Sequence, residues 1–596
     1  MSRRSWLCAV LAVLPLAGCT ATSFSARVRP DLKLVAYDSC GQLLSELRTA
    51  SQQSIGPYGL AGAEPAVLAG GARTMATDQA PAAPEHSGTN VHEQGADEPD
   101  IVKTDGRRIV TVTGGVLRVV DPATRTQTGR LDLGASGPAE VLLAGDRALV
   151  LIDGPGYQLY ERRIRPQGSH PEVLLVDLSG PPRLISRYRG EGTLVDARQT
   201  GTVARVVLST TPKITFPGRA ESTEGRLSEN RAAIGRAPVD AWLPTWEITT
   251  GATTTKGRLD CGAVSRPASF SGTSMLSVLT FDLTAPALTD GGPVGLVTDG
   301  DTVYGTPTSL YVANNQRWRL AFDAVTSSVA PPLNTEIYRF RLPATGKPVF
   351  TAAGTVPGLL INQYAMSEWE GDLRVATTDP ADDASAVRVL RARDDKLIQV
   401  GEVGGLGQGE RIYSVRFAGP RGYVVTFKQT DPLFSLDLSD PTGPRVTGAL
   451  KISGYSAHLQ PIGDDQLIGI GQEATAEGRP TGTQISLFDV ADPANPRRLA
   501  QQQIRDGQSE AEFDPHALLW WPATRLLVAP MADTTTDSAL ALHVTAGGLE
   551  PAGRLTQQGA IRRSLVIGAE LWTLSDAGLQ ASELSTLDRV GWVPLG

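Results

Sequence analysis

Residues Ile109–Leu133 alternate short β runs with turn residues, and this alternation is the clearest indication of the fold. The stretch reads Ile109-Val110-Thr111-Val112, then Gly114-Gly115, then Val116-Leu117-Arg118-Val119-Val120, then Asp121-Pro122, with a third run at Gly129–Leu133. Short runs of β-favouring residues separated by such turns are typical of up-and-down antiparallel strands. The sequence therefore predicts an all-β fold for this part of the chain.

A strand that ends in Asp and is followed by a Pro-containing turn recurs along the chain. The copies are Leu174–Pro182, Phe434–Pro441 and Leu487–Pro496. In each turn, Asp and Ser side chains can accept hydrogen bonds from backbone amides, and proline ends the preceding strand. Similar units start near residues 101, 140, 194, 296, 362, 412, 458, 516 and 564, a spacing of about 45 residues apart from one long interval. This period predicts a single large β-propeller of about eight to nine four-stranded blades.

The long interval near residue 200 is predicted to be an insertion within the third blade, at about residues 214–271. The units follow one another without a long Pro/Ser linker, so residues 97–596 are predicted to form one closed ring. Closure requires the first and last blades to meet. The final apolar run, Gly591–Leu595, is therefore expected to pack beside Ile101–Val112.

The N-terminus is typical of an exported lipoprotein. Arg3 and Arg4 precede the apolar run Trp6–Leu16, which is followed by Leu16-Ala17-Gly18-Cys19, a close match to a bacterial lipobox. The run is too short to span a bilayer, so residues 1–18 are predicted to be a cleaved signal peptide and Cys19 to carry the lipid. A signal peptide that merely contains a cysteine is the alternative. The remaining chain is expected outside the cytoplasm, anchored in the cell envelope, and at the outer membrane in a Gram-negative cell.

Four cysteines occur in the sequence, and two of them remain for pairing. Cys8 leaves with the signal peptide and Cys19 takes the lipid. Cys40 and Cys261 are then predicted to form a disulfide, because the compartment is oxidising. Two buried free thiols are the alternative.

Residues 19–96 are predicted to comprise the lipid anchor, a short helix and a flexible tether. Ser39 and Gln42 can form a capping box for an amphipathic helix at Gly41–Thr49. From Ser51 to Gly95 the chain is rich in Ala, Gly, Pro and Ser without periodicity, which is typical of a tether.

Several stretches, taken in order along the chain, resemble a known family. They include Gly88–Val91, Gly95–Gly106, Gly371–Thr378 and Gly409–Phe417. These residues resemble the bacterial secreted proteins that have a C-terminal β-propeller domain distantly similar to WD repeats. The resemblance implies a propeller over nearly the whole mature chain, and it implies no catalytic residues.

Four carboxylates lie close together where the propeller is expected to begin: Asp97, Glu98, Asp100 and Asp105. Oxygen ligands at this density are weak candidates for a Ca²⁺ site, although their spacing does not fit an EF-hand loop. The other interpretation is turn formation and pairing with Arg or Lys. No other metal and no cofactor is predicted.

The six histidines show no short zinc-binding spacing; they are His86, His92, His170, His458, His516 and His543. Asp514-Pro515-His516 places an acid and a histidine at the start of an innermost strand, where they could act as an acid/base pair. A hydrogen-bonded turn histidine is the more ordinary interpretation. Trp520 and Trp521 follow on the same strand, so their side chains are expected to alternate, with core filling or sugar stacking as roles.

Composition and motifs leave two function classes. A net charge of −8 gives no electrostatic signature of nucleic-acid binding. Nucleophile-elbow, phosphate-loop and dinucleotide motifs are absent from the sequence, although a propeller enzyme can assemble its site from several blades. The first class is a non-catalytic envelope lipoprotein whose propeller binds a protein or an envelope glycan. The second is an extracytoplasmic hydrolase or quinone-dependent oxidoreductase.

Overall fold

The structure is a computed structural model that describes residues 32–60, 86–154, 170–316, 333–427, 431–475, 479–533 and 537–596. These residues belong to one compact unit, Asp31–Gly596. The predicted signal peptide and the lipidation residue Cys19 lie outside the described residues, as do residues 61–85 of the predicted tether.

The first described elements precede the propeller: β1 (Leu34–Ala36), α1 (Cys40–Ser54), β2 (Ile55–Gly56) and β3 (Gly59–Leu60). Helix α1 begins as predicted, because Ser39 Oγ accepts a hydrogen bond from Gln42 N at 3.2 Å. It extends beyond the predicted end at Thr49, and β2 and β3 form a small hairpin after it. The predicted tether, Ser51–Gly95, was therefore too long at both ends, since Ser51–Leu60 is regular structure and residues 86–95 contact the blades, as described below.

Within the described residues, the repeating units form nine four-stranded antiparallel blades, which confirms the predicted propeller. Each innermost strand starts within about six residues of its predicted unit start. The strands of blade 1 are β4 (Val102–Thr104), β5 (Ile109–Thr113), β6 (Val116–Asp121) and β7 (Thr126–Asp132). Those of blade 2 are β8 (Ala139–Ala144), β9 (Arg147–Ile152), β10 (Glu172–Asp177) and β11 (Arg183–Gly190).

Blade 3 is interrupted between its second and third strands. Its strands are β12 (Thr193–Thr200), β13 (Val203–Thr210), β17 (Met275–Asp282) and β18 (Val294–Val297). The interrupting segment contains α2 (Thr223–Arg236), β14 (Thr245–Thr250), β15 (Thr253–Arg258) and β16 (Val264–Pro267). The β14–β15 hairpin adds two strands to the outer edge of blade 2, while β16 and β1 extend blade 3. The segment thus covers two outer edges that would otherwise be open to pairing.

The remaining six blades follow the simple pattern. Blade 4 has β19 (Thr302–Gly305), β20 (Ser309–Asn314), β21 (Asn334–Arg341) and β22 (Val349–Pro357), and blade 5 has β23 (Met366–Trp369), β24 (Asp372–Asp379), β25 (Ala384–Arg393) and β26 (Lys396–Leu406). Blade 6 has β27 (Arg411–Ala418), β28 (Arg421–Phe427), β29 (Asp431–Asp437) and β30 (Arg445–Ile452), and blade 7 has β31 (Tyr455–Pro461), β32 (Gln466–Ala474), β33 (Pro480–Asp489) and β34 (Arg497–Arg505). Blade 8 has β35 (Leu519–Trp521), β36 (Leu526–Ala532), β37 (Asp537–Val544) and β38 (Leu549–Leu555), and blade 9 has β39 (Arg563–Ile567), β40 (Glu570–Leu574), β41 (Gly578–Glu583) and β42 (Arg589–Pro594).

The hydrophobic core lies between neighbouring blades and continues around the ring. One cluster joins blade 9 to blade 1, where Val593 and Leu595 pack with Ile101 and Ile109. The last apolar run therefore meets the start of the propeller, as closure requires. Burial of these facing sheets is the main favourable term that holds the blades together.

The disulfide between Cys40 and Cys261 is confirmed, with the two Cα atoms 5.4 Å apart. It joins the start of α1 to the segment that interrupts blade 3. Leu43 and Leu47 of α1 pack in the same cluster as Ile234 of α2. The apolar face of α1 therefore docks on the interrupting segment.

The two faces of the ring differ in their connections. On one face lie the turns between the third and fourth strands, where Asp437 accepts from Ser439 N at 3.0 Å and Asp489 accepts from Ala491 N at 3.0 Å. These are the Asp turns that the repeat predicts. We call this the short-turn face. The opposite face, where the innermost strands begin, carries the long connections, and we call it the long-loop face.

Candidate functional site: the polar centre of the ring

Residues 86–100 precede the first strand of blade 1 and run across the centre of the ring; we call them the axial segment. They begin against blade 9, where Ser87 N donates to Val566 O at 2.8 Å. Asn90 Nδ2 then donates to the backbone oxygens of Pro515 and Leu518, which lead into blade 8, at 3.0 and 3.1 Å. One end of the segment is thereby fixed to the last two blades.

The segment next reaches the opposite side of the ring. The His92 ring lies between Tyr304 of blade 4 and Tyr364, which precedes blade 5, with ring centroids 5.1 and 4.4 Å apart. The Tyr304 hydroxyl donates to Glu93 Oε1 at 2.6 Å. Blades 4 and 5 lie opposite blade 9 in the nine-bladed propeller. The chain therefore passes over the axis between its contacts with blades 8 and 9 and its contacts with blades 4 and 5.

The end of the segment returns to blades 3 and 2 before it enters blade 1. Asp97 and Gln199 exchange both backbone hydrogen bonds, at 2.7 and 2.8 Å. Val141 N donates to Asp100 O at 2.7 Å. The axial segment therefore contacts six blades, through hydrogen bonds to blades 2, 3, 4, 8 and 9 and through ring packing on Tyr364 before blade 5.

Glu98 is the centre of a buried ion-pair network and is 2% exposed. His516 Nε2 donates to Glu98 Oε2 at 3.0 Å, and Arg198 Nη2 lies 3.2 Å from Glu98 Oε1. Arg198 also pairs with Asp196 and donates to Gln363 Oε1. The Glu98 carboxylate thereby joins blades 3 and 8, and Arg198 extends the network to Gln363, which precedes blade 5.

The protonation states within the network follow from burial and pairing. Burial alone would raise the pKa of Glu98, but the charge of Arg198 and the hydrogen bond from His516 outweigh it and hold that pKa well below its ordinary value. Burial would lower the pKa of His516, but the bond to Glu98 and the charge of Asp100 raise it above its ordinary value. Both shifts favour the ionised pair.

Arg563, at the first position of β39, is the centre of a second network. Its Nε donates to Asp100 Oδ1 at 2.8 Å, its Nη1 to Glu510 Oε1 at 3.2 Å, and its Nη2 to Asp514 Oδ2. Burial would lower the pKa of Arg563, but the charges of Asp100 and Asp514 raise it. Asp100 belongs to the axial segment, so this network ties blade 9 to the start of blade 1.

The four carboxylates considered for Ca²⁺ each have a cationic partner. Lys103 Nζ donates to Asp97 Oδ1 at 2.7 Å, and Arg108 Nε donates to Asp105 Oδ2 at 3.1 Å. Glu98 and Asp100 face Arg198 and Arg563, as described above. In the part of the chain that the structure describes, no group of three or more His, Cys, Asp or Glu side chains is arranged to hold a metal ion. All four carboxylates are thus paired with Arg or Lys, which was the other interpretation of this cluster.

Asp514 and His516 do lie together at the start of the innermost strand of blade 8. His516 Nδ1 is 3.5 Å from Asp514 Oδ1, but the His516 side chain is buried and its Nε2 bonds to Glu98. Trp520 and Trp521 alternate as expected, since Trp521 is buried and Trp520 is half-buried. The sequence identified Glu98 and His516 separately, whereas Arg198 and Arg563 were missed because no local pattern distinguishes them from surface arginines.

The chain belongs to the β-propeller domain family, whose model matches residues 86–587. The match begins at the first residue of the axial segment. It thus places that segment within the family's domain.

Two relatives are uncharacterized archaeal proteins. A protein of Archaeoglobus fulgidus is 28% identical over 73% of this chain and 74% of its own length. A protein of Methanocaldococcus jannaschii is 36% identical over 40% of this chain, and the match spans 37% of that relative. A solved structure, AztD of Citrobacter koseri, is similar at 9% identity with a TM-score of 0.34, over 84% of this chain and 94% of that one.

Neither described α-helix is both long enough and apolar enough to cross a membrane.

Proposed function

We propose that the protein is a non-catalytic scaffold of the cell envelope, held at the membrane by a lipid on Cys19, whose propeller binds a protein or an envelope glycan. The observation that carries this proposal is that the charged side chains near the centre of the ring are paired with one another. Glu98 of the axial segment pairs with Arg198 and His516, and Arg563 pairs with Asp100 of the same segment. Groups that could perform acid/base chemistry at the centre of a ring are therefore engaged in holding the ring together.

Aromatic side chains on the long-loop face support a binding role. Tyr413 is 40% exposed, and its ring contacts Phe427 edge-to-face and Tyr455 at a tilt, with centroid distances of 5.2 and 4.9 Å. Phe513, at the same face before blade 8, is 53% exposed. Aromatic residues are enriched in protein interfaces, where a large apolar area meets a partner with little loss of side-chain entropy.

The anchor is tested by cell fractionation of wild type and Cys19→Ser. Wild type is expected in the membrane fraction and the variant in the soluble extracytoplasmic fraction, because the variant cannot accept the lipid. Full sedimentation of the variant with membranes would contradict the anchor.

The binding surface is tested by chemical cross-linking in intact envelopes followed by recovery of the protein. We compare wild type with the double variant Tyr413→Ser and Phe513→Ser, and with Val446→Ser as the control, because Val446 is also 40% exposed but lies next to the short-turn face. The double variant is expected to lose a cross-linked partner that wild type and control retain. Identical cross-linking by all three proteins would refute the proposed surface.

A further inference from the structure

Tyr58 is the most exposed large hydrophobic side chain in the part of the chain that the structure describes, at 86%. It lies at the tip of the β2–β3 hairpin, where Gly56 pairs with Gly59. The half-buried ring of Phe216 adjoins this tip, since a Cβ placed on Gly59 would lie 3.8 Å from it. Two aromatic side chains therefore lie side by side at this point of the surface.

Helix α2 holds the hairpin tip in a fixed position. Asn230 is 1% exposed, and its Nδ2 donates to Gly56 O at 3.0 Å and to Pro57 O at 3.3 Å. The guanidinium carbon of Arg226 lies 5.8 Å from the centre of the Tyr58 ring, within the range of a cation–π contact. Because a buried amide fixes the backbone of the turn, the fold itself presents this ring to the surroundings.

The charges near the tip do not select a strongly ionic partner. Helix α2 carries nearly equal numbers of acidic and basic side chains: Glu224 and Glu229, with Arg226, Arg231 and Arg236. A tyrosine next to an arginine suits instead the headgroup region of a phospholipid bilayer. Tyrosine is enriched at that depth, where its ring meets apolar groups and its hydroxyl meets water, and arginine bonds to phosphate.

The position at which the described chain begins limits how the propeller can stand on a membrane. Leu32 follows the predicted lipid-bearing Cys19 by 13 positions. Whatever the conformation between them, the two residues are therefore at most about 45 Å apart. Leu32 packs with Val207 and Leu276 of blade 3, and β1 is the outermost strand of that blade's sheet.

This reach is shorter than the width of the propeller. A compact body of this length has a radius of gyration of about 24 Å and is therefore roughly 60 Å wide. Blades 7 and 8 lie opposite blade 3 in the ring. They cannot rest on a bilayer that holds Cys19, so the side of blade 3 is the nearer one.

We propose that the tip of the β2–β3 hairpin, with the Tyr58 ring and the Arg226 guanidinium, contacts the headgroup region of the bilayer that holds the lipid anchor. Helix α1 leads from β1 into this hairpin and packs on the segment that interrupts blade 3. The tip thus lies on the side that the anchor keeps near the bilayer, while Phe513 before blade 8 stays accessible to a partner. The proposal rests on the lipid anchor of the proposed function and adds the surface that orients the propeller.

The contact is tested with a chain of residues 20–596 that carries a histidine tag before residue 20. The chain is bound to vesicles of phosphatidylethanolamine and phosphatidylglycerol that contain nickel-chelating lipid, so residue 20 is at the bilayer whether or not Cys19 is lipidated in the cell. Tyr58→Cys provides the one free thiol for an environment-sensitive fluorophore, because Cys40 and Cys261 are bonded to each other. We expect a blue shift of its emission on the vesicles, and loss of that emission when the lipids carry nitroxide groups near the headgroups.

Val446→Cys and Phe513→Cys, labelled in the same way, are the matched controls. Both positions are exposed, at 40% and 53%, but they lie on blade 6 and before blade 8. We expect no quenching at either. Equal quenching at all three positions, or none at position 58, would overturn the proposal. A blue shift at position 58 without quenching would show that protein, such as a second copy of this chain, covers the tip, and it would overturn the proposal as well.

The bilayer contact and the lipid anchor fail separately. Absence of quenching at position 58 overturns the contact but leaves the anchor, which fractionation of Cys19→Ser tests. Full sedimentation of Cys19→Ser with membranes contradicts the anchor, while the tagged chain still decides whether the hairpin tip contacts lipid.

Discussion

Ion pairs between acidic and basic side chains occur both near the axis and in the turns of the short-turn face, but they differ in sequence separation and in burial. At the axis, Glu98–His516 and Asp100–Arg563 join residues 418 and 463 positions apart in the sequence. In the short turns, pairs such as Asp489–Arg497 join residues 8 positions apart. Arg563 has a side chain that is 3% exposed, whereas that of Arg497 is 71% exposed.

This difference in burial determines what each pair does. Removing one partner of a buried pair leaves an uncompensated charge in a medium of low polarity, which costs about 3–5 kcal/mol. An exposed pair contributes about 0–1 kcal/mol because water screens it. The axial pairs therefore make the ring dependent on correct assembly of distant blades, while the turn pairs only support local geometry.

The largest effect is expected from removing blade 9. A chain that ends at Arg562 loses Arg563, the partner of Asp100, and exposes the apolar faces that Val593 and Leu595 cover. We expect the loss to exceed the roughly 5–15 kcal/mol that stabilises a typical domain, so cooperative melting disappears. Limited proteolysis and calorimetry check this. A protease-resistant fragment spanning blades 1–8 with an unchanged melting temperature would show that the ring does not need closure.

The axial and turn pairs can be compared directly with one substitution. Arg198→Met is expected to destabilise the protein by about 3–5 kcal/mol, because Glu98 keeps its buried charge. Arg497→Met makes the same chemical change in an exposed turn and should cost less than about 1 kcal/mol. Urea unfolding measures both values.

A double variant makes this comparison sharper. Adding Glu98→Gln to Arg198→Met removes the buried carboxylate charge that lost Arg198, and His516 then stays neutral beside the amide, so part of the loss should return. Equal destabilisation by Arg198→Met and Arg497→Met, or no recovery in the double variant, would contradict the role assigned to burial.

The disulfide is a covalent long-range link, and its effect should be smaller. Replacing Cys40 and Cys261 together by Ser opens a link across 221 positions and is expected to cost about 2–4 kcal/mol. The loss should appear first as protease cleavage within Cys40–Ser54, because α1 then docks only through its apolar face. Intact mass with alkylation should find no free thiol in the unreduced wild type. Unchanged protease resistance of the Ser variant would indicate that apolar docking alone is sufficient.

The smallest effect concerns pH. The pKa of His516 is higher in the folded protein than in the unfolded chain. Its contribution to the free energy of unfolding is therefore complete below the unfolded-state pKa of about 6.5, and it is lost as pH rises through the folded-state pKa. The melting-temperature difference between wild type and His516→Gln should therefore shrink from pH 6 to pH 9.

His92 provides the control of opposite sign. Burial and the charge of Arg416 lower the pKa of His92, so the folded protein holds this ring neutral. As pH falls below about 6.5, the ring is protonated more readily in the unfolded chain, and the stability of the fold decreases. The difference between wild type and His92→Gln should grow as pH rises. Parallel trends for the two variants would contradict these assignments.

The repeat and its turns could be predicted from the sequence because they depend on neighbours in the chain. Asp437 and Asp489 bond to amides two residues onward, so spacing alone reveals them. The helix start at Ser39 was predictable for the same reason. The tether was placed too broadly, because Ser51–Leu60 gains its structure from packing on the segment that interrupts blade 3.

The β-blade period, the Asp turns and the α1 cap could be read from the amino-acid sequence, since each depends on short-range chemistry, and the cysteine count favoured the disulfide. The path of residues 86–100 across the ring, and the contact of Glu98 with Arg198 and His516, became visible only in the folded chain. Arg198 and His516 come from two separate blades and Glu98 from the axial segment, and the energy of their contact depends on burial that exists only when the ring is closed.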